Sequence, residues 1–522
     1  MSTGSPGGRR APVDRRLALV LAGMMVGLFL TELDQTVFAT ALPTVVGDLG
    51  AVAGLFWVNT AYLLTGTLAM PVHGKLGDLL GRKPVYVGAL LVFLAGSVLG
   101  GLASDLPTLV LARAVQGLGG GGLLVGVQAI VAELCAPRER ARVLSLVGAV
   151  FAASSVLGPV LGGWLADGPG WRWIFWLNLP LGGLAVLAAV RLLDLPGRPD
   201  VAVRVDVWGI TTLSVAVTAL VLVASWGGAA AAWRSPYVPG LVVLLGAAVA
   251  AFVLAERRAA EPVIPLRLFA DPAFTVPTLA ALVLAVTTFG TIAYLPTYLQ
   301  MALGLSPRHA GLAMLALIAG LGTATVVAGQ LVARTGRQRP LPVAGGLLVA
   351  AGLAGLAATG VTASLPVVLG WLLLLGLGVG AGLQLVVVMA QNAAPPSQLG
   401  AATAAVSFFR EVGVVLGTAA VGAVFTARLT AGLAERLPPE LDPATLSPER
   451  LATLSPAVRA DVGAVYADAF VPLLGWLVPL VLLSTAALLV VRPVPLPALG
   501  EPDADRTPTI GSAERGDIHP ER

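Results

Sequence analysis

Long apolar runs, separated by short clusters of arginine, glycine and proline, fill the chain from residue 17 to residue 491. A helix that crosses the hydrocarbon layer of a bilayer needs roughly 20 consecutive, mostly apolar residues. That ruler predicts fourteen spans, at Leu17–Leu42, Leu55–His73, Pro84–Ala103, Leu106–Ala132, Ala141–Ala166, Ile174–Leu193, Val207–Trp226, Val238–Ala255, Ala273–Met301, Ala310–Ala333, Leu341–Gly360, Leu365–Ala390, Ala401–Ala427 and Phe470–Val491. The first run follows Arg9, Arg10, Arg15 and Arg16, and Ala39-Thr40-Ala41 imitates a small-residue cleavage site, giving it the outline of a secretory signal. Glu32 and Asp34 interrupt that run and its length suits a span, so it is read as the first helix.

Basic residues orient the spans, because cytoplasmic loops carry an excess of Lys and Arg. With the N-terminus inside, alternate loops hold Lys75/Arg82/Lys83, Arg138/Arg140/Arg142, Arg191/Arg198/Arg204, Arg257/Arg258/Arg267 and Arg334/Arg337/Arg339. The intervening loops carry at most one basic residue each until Arg428, and the even count returns the C-terminus to the cytoplasm. Two segments follow the rule less closely. Gln391–Gly400 is expected inside yet has no basic residue, and Arg428–Asp468, expected outside as a short amphipathic element, carries four arginines among more acids.

An internal repeat adds organisation. Gly74-Lys75-Leu76-Gly77-Asp78-Leu79-Leu80-Gly81-Arg82-Lys83 follows the second span, and Gly329-Gln330-Leu331-Val332-Ala333-Arg334-Thr335-Gly336-Arg337-Gln338 follows the tenth, aligned at Gly, Leu, Gly and Arg. With spans seven and eight taken as an insertion, each copy sits after the second helix of a six-helix half, and parallel halves of this kind place a substrate between them near the midplane. The expected division is a cytoplasmic tail at 1–16, an N-terminal half at 17–193, two inserted helices with linkers at 194–272, a C-terminal half at 273–491 with an external loop at about 428–468, and a cytoplasmic tail at 492–522.

Composition narrows the class. Charged residues make up 11 % and hydrophobic residues 57 % of 522 positions, against about a quarter charged in soluble domains, so lipid must solvate most of this chain. The net charge of +4 is small and spread over short loops, which argues against nucleic acid as a partner. Cys135 is the only cysteine and His73, His309 and His519 are scattered, so no metal site and no intramolecular disulfide is expected. No P-loop occurs, nor any nucleophile–base constellation, which speaks against ATP as the energy source and against an enzyme; no cofactor is expected.

Five stretches carry a resemblance. Gly74–Lys83 fits G-x-L-x-D-x-x-G-R-[RK]; Leu33-Asp34-Gln35-Thr36-Val37 with Ala41-Leu42-Pro43 fits a first-helix signature; Arg113-Ala114-Val115-Gln116-Gly117-Leu118-Gly119 fits R-x-x-Q-G-x-G. Gly158-Pro159-Val160-Leu161-Gly162-Gly163 fits G-P-x-x-G-G, and Trp171-Arg172-Trp173-Ile174-Phe175-Trp176-Leu177-Asn178-Leu179-Pro180 leads into the sixth span. In this order and on these helices, the sequence resembles the fourteen-helix drug/proton antiporter branch of the major facilitator superfamily over nearly its whole length. The resemblance implies an all-α polytopic fold of two six-helix halves plus two additional transmembrane helices. It also implies a monomeric, proton-coupled exporter of amphipathic, cationic or aromatic drugs or antibiotics, working between lipid, protons and a small-molecule substrate. Its place would be the inner membrane of a bacterium, in keeping with thirty arginines against two lysines. The alternatives are a dedicated exporter of one endogenous metabolite or lipid and, further off, an uptake symporter or a sensor that transports nothing.

The same resemblance assigns roles. Gly74, Asp78, Gly81 and Arg82 form a conformational gate, in which Gly77 and Gly81 permit tight turning and Asp78 accepts from a helix N-terminus or a nearby arginine. The plain alternative is a basic loop that only sets topology. The second copy has Ala333 in place of Asp78. Gly158, Pro159, Gly162 and Gly163 form the antiporter motif that limits proton leakage; proline removes a backbone hydrogen bond and is expected to kink the helix, while glycines admit a close neighbour. Ser154 stands one turn earlier where the family often has glycine.

Ionisable groups within spans point to function, since each costs roughly 2.5–3.5 kcal/mol at a helix centre on insertion scales. They are Glu32, Asp34, Arg113, Arg410 and Glu411, with Glu133 at a boundary. Counted from Pro43 and Pro107, Asp34 and Arg113 lie about 9–14 Å deep and can face each other. For proton coupling Asp34 ranks first and Glu411 second, with Arg113 as the partner of Asp34; Glu32 is about 200° around the helix from Asp34 and should face elsewhere. Candidates for the lining of a substrate cavity are Trp57, Asn59, Tyr62, Gln116, Tyr294, Tyr298 and Gln384, although Trp and Tyr near helix ends also serve as interface anchors.

Overall fold

The computed structural model describes residues 15–49, 55–195, 206–227, 235–359, 364–436 and 455–491. Fourteen long helices fill them: α1 Arg15–Leu49, α2 Leu55–Leu80, α3 Arg82–Gly101, α4 Leu106–Leu134, α5 Pro137–Asp167, α6 Trp173–Leu192, α7 Val207–Trp226, α8 Tyr237–Arg258, α9 Pro272–Met301, α10 Pro307–Thr335, α11 Pro340–Thr359, α12 Leu365–Ala393, α13 Leu399–Arg436 and α14 Pro456–Val490. Among the described residues there is no strand. Their starts are written in the sequence: Asp105, Asp206, Asp271, Ser306 and Ser455 each accept a backbone N–H of the first turn, and proline follows four of them where its missing N–H is no loss.

Among the described residues, thirteen helices are long and apolar enough to cross a membrane. The exception, α2, interleaves Asn59, Thr60, Thr65, Thr67 and His73 with its apolar residues, and it packs between α4 and α13. Helix pairing repeats with an offset of eight. In the first half α2 packs on α4, α3 on α4, α1 on α5 and α6, and α3 on α6; in the second, α10 packs on α12, α11 on α12, α9 on α13 and α14, and α11 on α14. The two most extensive cross-half contacts, α2 with α13 and α5 with α10, are related by the same offset. The inserted α7 and α8 pack on each other, and α7 touches α2 and α13.

Lipid offers no hydrophobic drive between helices, so close backbone approach supplies much of the packing. A side chain at Gly378 of α12 would meet the carbonyl oxygen of Gly345 on α11 at 2.6 Å, and one at Gly121 of α4 would run into Gly66 of α2. The result is an inner α4 and α12, each with 78 % of its apolar stretch buried, against 11 % for the peripheral α8.

Several helices outrun the spans expected for them. The segment 74–83 is not a loop: α2 continues to Leu80, Gly81 alone breaks the chain at φ 92°, and α3 begins at Arg82. At the aligned place α10 continues to Thr335 and Gly336 closes it at φ 69°. Gly77 lies inside α2 and makes no turn, which corrects its expected role. Pro159 leaves α5 unbroken from Pro137 to Asp167. Both described ends of the segment expected as an external element are helix: α13 reaches Arg436 and α14 starts at Pro456, fourteen residues before the expected Phe470, and Arg436 pairs with Asp468 at 3.0 Å. At 38 residues α13 is about 57 Å long, well beyond the roughly 30 Å hydrocarbon layer. Most of the expected terminal tails, and the middle of the 428–468 segment, lie outside the described residues.

Candidate functional site

Between the halves lies a cavity of about 180 Å³. Its walls are α1, α2, α4 and α5 on one side and their counterparts α9, α10, α12 and α13 on the other. Most of the lining is apolar or small, with Met70, Phe151, Phe289 and Leu383 among the larger groups. Against these stand three charged side chains, Glu32 from α1 and the adjacent Arg410 and Glu411 from α13. Arg410 donates from Nη2 to Glu411 Oε1 at 3.1 Å, and both interact electrostatically with Glu32 across the halves.

Asp34, two residues from Glu32, points the other way. Arg113 donates to its Oδ2 at 2.5 Å, while Asn178 and Gln116 donate to its Oδ1 at 2.7 and 3.3 Å. Ser97 accepts from both amides, at 3.1 Å from Asn178 and 2.8 Å from Gln116, and Arg113 also donates to Gln116 Oε1 at 2.8 Å. The Arg113 guanidinium lies between the rings of Phe38 and Tyr62, 4.6 and 4.3 Å from their centroids. Both ionic side chains are fully buried, and neither lines the cavity. Tyr62 touches both regions, so its ring stands between the cavity and the ion pair.

The basic side of the molecule, where Lys75, Arg82 and Arg138 lie, is closed. Asp78 accepts from the backbone N–H of Gly400 at 3.0 Å and of Ala401 at 2.8 Å, at the positive N-terminus of α13, and from Arg82 at 3.0 Å. Arg82 also binds Glu133. Gly74 lies against the Gly400 carbonyl, where a side chain would sit at 2.8 Å. The segment 391–400, which has no basic residue, leads into the helix N-terminus that meets Asp78. Ser407 donates to Gln128 at 2.9 Å nearby. Beside the symmetry-related α5–α10 contact, where Ala333 replaces Asp78, the tie is uncharged on one side: Arg140 of α5 donates to Asn392 of α12 at 2.8 Å, and Asn392 to Gln338, just past α10, at 3.1 Å.

In the G-P-x-x-G-G stretch, Gly162 abuts the Val37 carbonyl of α1, 2.6 Å from where a side chain would sit, and Gly158 abuts Thr36, whose hydroxyl donates to Ser154 O at 3.1 Å. Nothing crowds Gly163.

Of the seven lining candidates, Tyr62 and Gln384 line the cavity. Gln116 belongs to the sealed cluster. Trp57 meets Trp226 of α7 edge-on at 6.4 Å, and Asn59 beside it is exposed. Tyr294 donates to Thr418 O at 3.1 Å and stacks near Phe425, while Tyr298 is buried against Phe470 at 5.2 Å. These four are packing or interface groups instead. Sequence reasoning overlooked Ser97, Asn178 and Gln35; a lone Asn or Ser within an apolar span was the available signal. Among the described residues no group of His, Cys, Asp and Glu is placed to hold a metal ion.

Comparison with known proteins fits this geometry. The family model of the Major Facilitator Superfamily matches residues 24–418. The chain is 37 % identical over 501 residues to an MFS-type transporter of Mycobacterium tuberculosis, spanning 95 % of this chain and 72 % of that one. It is 35 % identical over 425 residues to the multidrug transporter protein MdtP of Bacillus subtilis, spanning 81 % and 78 %. Among solved structures, the human organic anion transporter MFSD10 (TETRAN) superposes with a TM-score of 0.62 over 92 % of this chain and 100 % of that one, at 17 % identity.

Proposed function

The chain belongs to the major facilitator superfamily as a multi-pass membrane transporter, and on that premise we propose that it exports amphipathic cations in exchange for protons taken up at Glu32 and Glu411. One observation carries this reading: two carboxylates, one from each half, share a cavity with a single guanidinium. Either a proton or a cationic cargo relieves the excess negative charge, and holding one weakens the hold on the other. With the basic side as cytoplasm, the Asp78–α13 contact closes the inner face, so protons load from outside. Protonated, the site releases its cargo outward. The halves then rock about the cavity, the latch opens, and the proton leaves to the cytoplasm as a new cation enters. Inward proton movement supplies about 2.3 kcal/mol per 100 mV and about 1.4 kcal/mol per pH unit.

Asp34 has a different task in this reading. Behind Tyr62, and already matched by Arg113, Gln116 and Asn178, it braces α1, α3, α4 and α6 as a rigid body. Gly158 and Gly162 hold α5 against α1 tightly enough to deny water a path along that seam.

The test is gradient-driven accumulation of a fluorescent lipophilic amine inside inverted vesicles, whose lumen corresponds to the cell exterior. Glu32→Gln and Glu411→Gln should each lower gradient-driven transport by about ten-fold or more, as removal of a proton-transfer group does. Asp34→Asn in a protein that still folds should retain most of it. Accumulation that survives collapse of the proton gradient would sink the coupling.

A further inference from the structure

The inserted helices hold a pair of acids that stands apart from the cavity. Asp206 caps the start of α7, and Glu256, 4 % exposed, lies in the last turn of α8 beside Arg257 and Arg258, on the basic side of the molecule. Their carboxylates converge at Gly209: the point a side chain there would occupy is 2.3 Å from Asp206 Oδ2 and 2.9 Å from Glu256 Oε1. One group is left over. Asp206 Oδ1 accepts from Gly209 N–H at 2.8 Å, and Glu256 accepts from the N–H groups of Val263 and Ile264 at 3.2 and 3.3 Å. Asp206 Oδ2 is buried and has no donor within the protein. Charge is unbalanced as well. Lys75 of α2 is the cation that faces this pair, and it is engaged at 2.5 Å by Glu261, in the linker between α8 and α9; Arg257, Arg258 and Arg267 are exposed. Two carboxylates with no third ligand beside them, among the described residues, make no metal site. A proton on Glu256 answers both: its O–H donates to Asp206 Oδ2, and its other oxygen keeps the linker amides.

We infer that the inserted helices carry a proton site of their own, in which Asp206 and Glu256 share one proton that holds the α8–α9 linker in place against the gate end of α2. Loss of that proton to the cytoplasm sets two carboxylates against each other where water is scarce. The linker is the piece that yields, because Glu256 holds its amides and Glu261 ties it to Lys75, next to the Asp78 latch. Cytoplasmic pH then sets how firmly the inserted pair grips the gate. This claim makes no use of the cation-export reading.

The experiment is hydrogen–deuterium exchange of the full-length protein in lipid nanodiscs, read by mass spectrometry over residues 259–265 and corrected for the intrinsic rise of exchange with pH. In the opened linker Glu256 titrates as an ordinary carboxyl, so the closed form holds a proton that the open form lacks, and protection falls as pH rises. For the wild-type chain the fall should be about ten-fold or more between about pH 5 and about pH 8. Glu256→Gln carries a permanent donor toward Asp206 and keeps an acceptor for the linker, so its protection should stay within about two-fold over the same range. Asp206→Asn, which still caps α7 and offers Glu256 an N–H, should be equally flat. Wild-type protection that ignores pH overturns the inference, and so does a wild-type fall that persists in either variant. Failure of Glu256→Gln to fold overturns it too, because a neutral group at 256 is what the inference places in the native protein. None of these outcomes bears on cation export.

Discussion

Two ion pairs lie on either side of Tyr62 and differ in their surroundings. Arg113–Asp34 is fully buried and walled off by Tyr62, with amide donors from Gln116 and Asn178 on the carboxylate while Nε and Nη2 of Arg113 rest on the flanking rings without a hydrogen-bond partner; Arg410–Glu411 lines the cavity, with Glu32 opposite and less well matched. Both place a carboxylate at membrane depth, and the insertion cost of such a group says that it matters without saying why. The surroundings say why. A carboxylate with a matched cation and donors on every side is a strut, whereas one of two sharing a single cation at a cavity wall has reason to take up a proton or a cargo.

Stability should break the tie first. Arg113→Met leaves Asp34 buried without its cation and should cost about 3–5 kcal/mol in thermal or denaturant unfolding of the purified protein. Arg410→Met should cost about 1 kcal/mol or less, because Glu411 faces a cavity that water can enter. Equal losses would mean that the two pairs are alike. The next largest effect lies at the seam that holds α1 in register between them. Gly162→Val should cost about 1–3 kcal/mol by overpacking against Val37, and Gly163→Ala less than about 0.5 kcal/mol, since nothing stands near it.

Asp78 is the intermediate case, a buried carboxylate neutralised by a helix N-terminus. Asp78→Asn should weaken closure by about 1–2 kcal/mol, a shift of roughly 5–30-fold toward the state open on the basic side. The readout is labelling of Ala404→Cys, which is packed under Gly74 in the closed form. Unchanged labelling would reduce Asp78 to a topology signal. The smallest effect calibrates that assay. Burial, with Glu139 alongside, pushes the native Cys135 thiol up to about 11. It should therefore stay protonated and react slowly with maleimide at pH 7, faster as pH rises toward 11; rapid labelling at neutral pH would contradict its placement.

Much of this was legible in the sequence, for identifiable reasons. The number of long helices, the repeat and the half-plus-insertion order follow from hydropathy and the Gly74/Gly329 alignment, since a bilayer sets helix length and glycine sets where the chain may turn. The meeting of Asp34 with Arg113 follows from depth counted along two helices. Rotation about a helix axis was harder. The 200° offset separated Glu32 from Asp34 correctly, but nothing local says which face looks into the cavity; that depends on how α1 sits between α5 and α6, a matter of Gly158, Gly162 and their neighbours. The aromatic candidates misled for the same reason, because Tyr298 and Trp57 are large enough to fill either a cavity wall or a packing gap. Helix ends were missed where polarity changes without a change of structure, as at 74–80 and 428–436.

The division of labour between the two acids is tested most directly by proton release. Purified protein in weakly buffered solution, mixed with a saturating lipophilic ammonium ion, should release protons into the medium, and Asp34→Asn should release the same number. The Glu32→Gln/Glu411→Gln double variant should release none. Release that vanishes in Asp34→Asn and persists in the double variant would move the exchange behind Tyr62 and contradict the account.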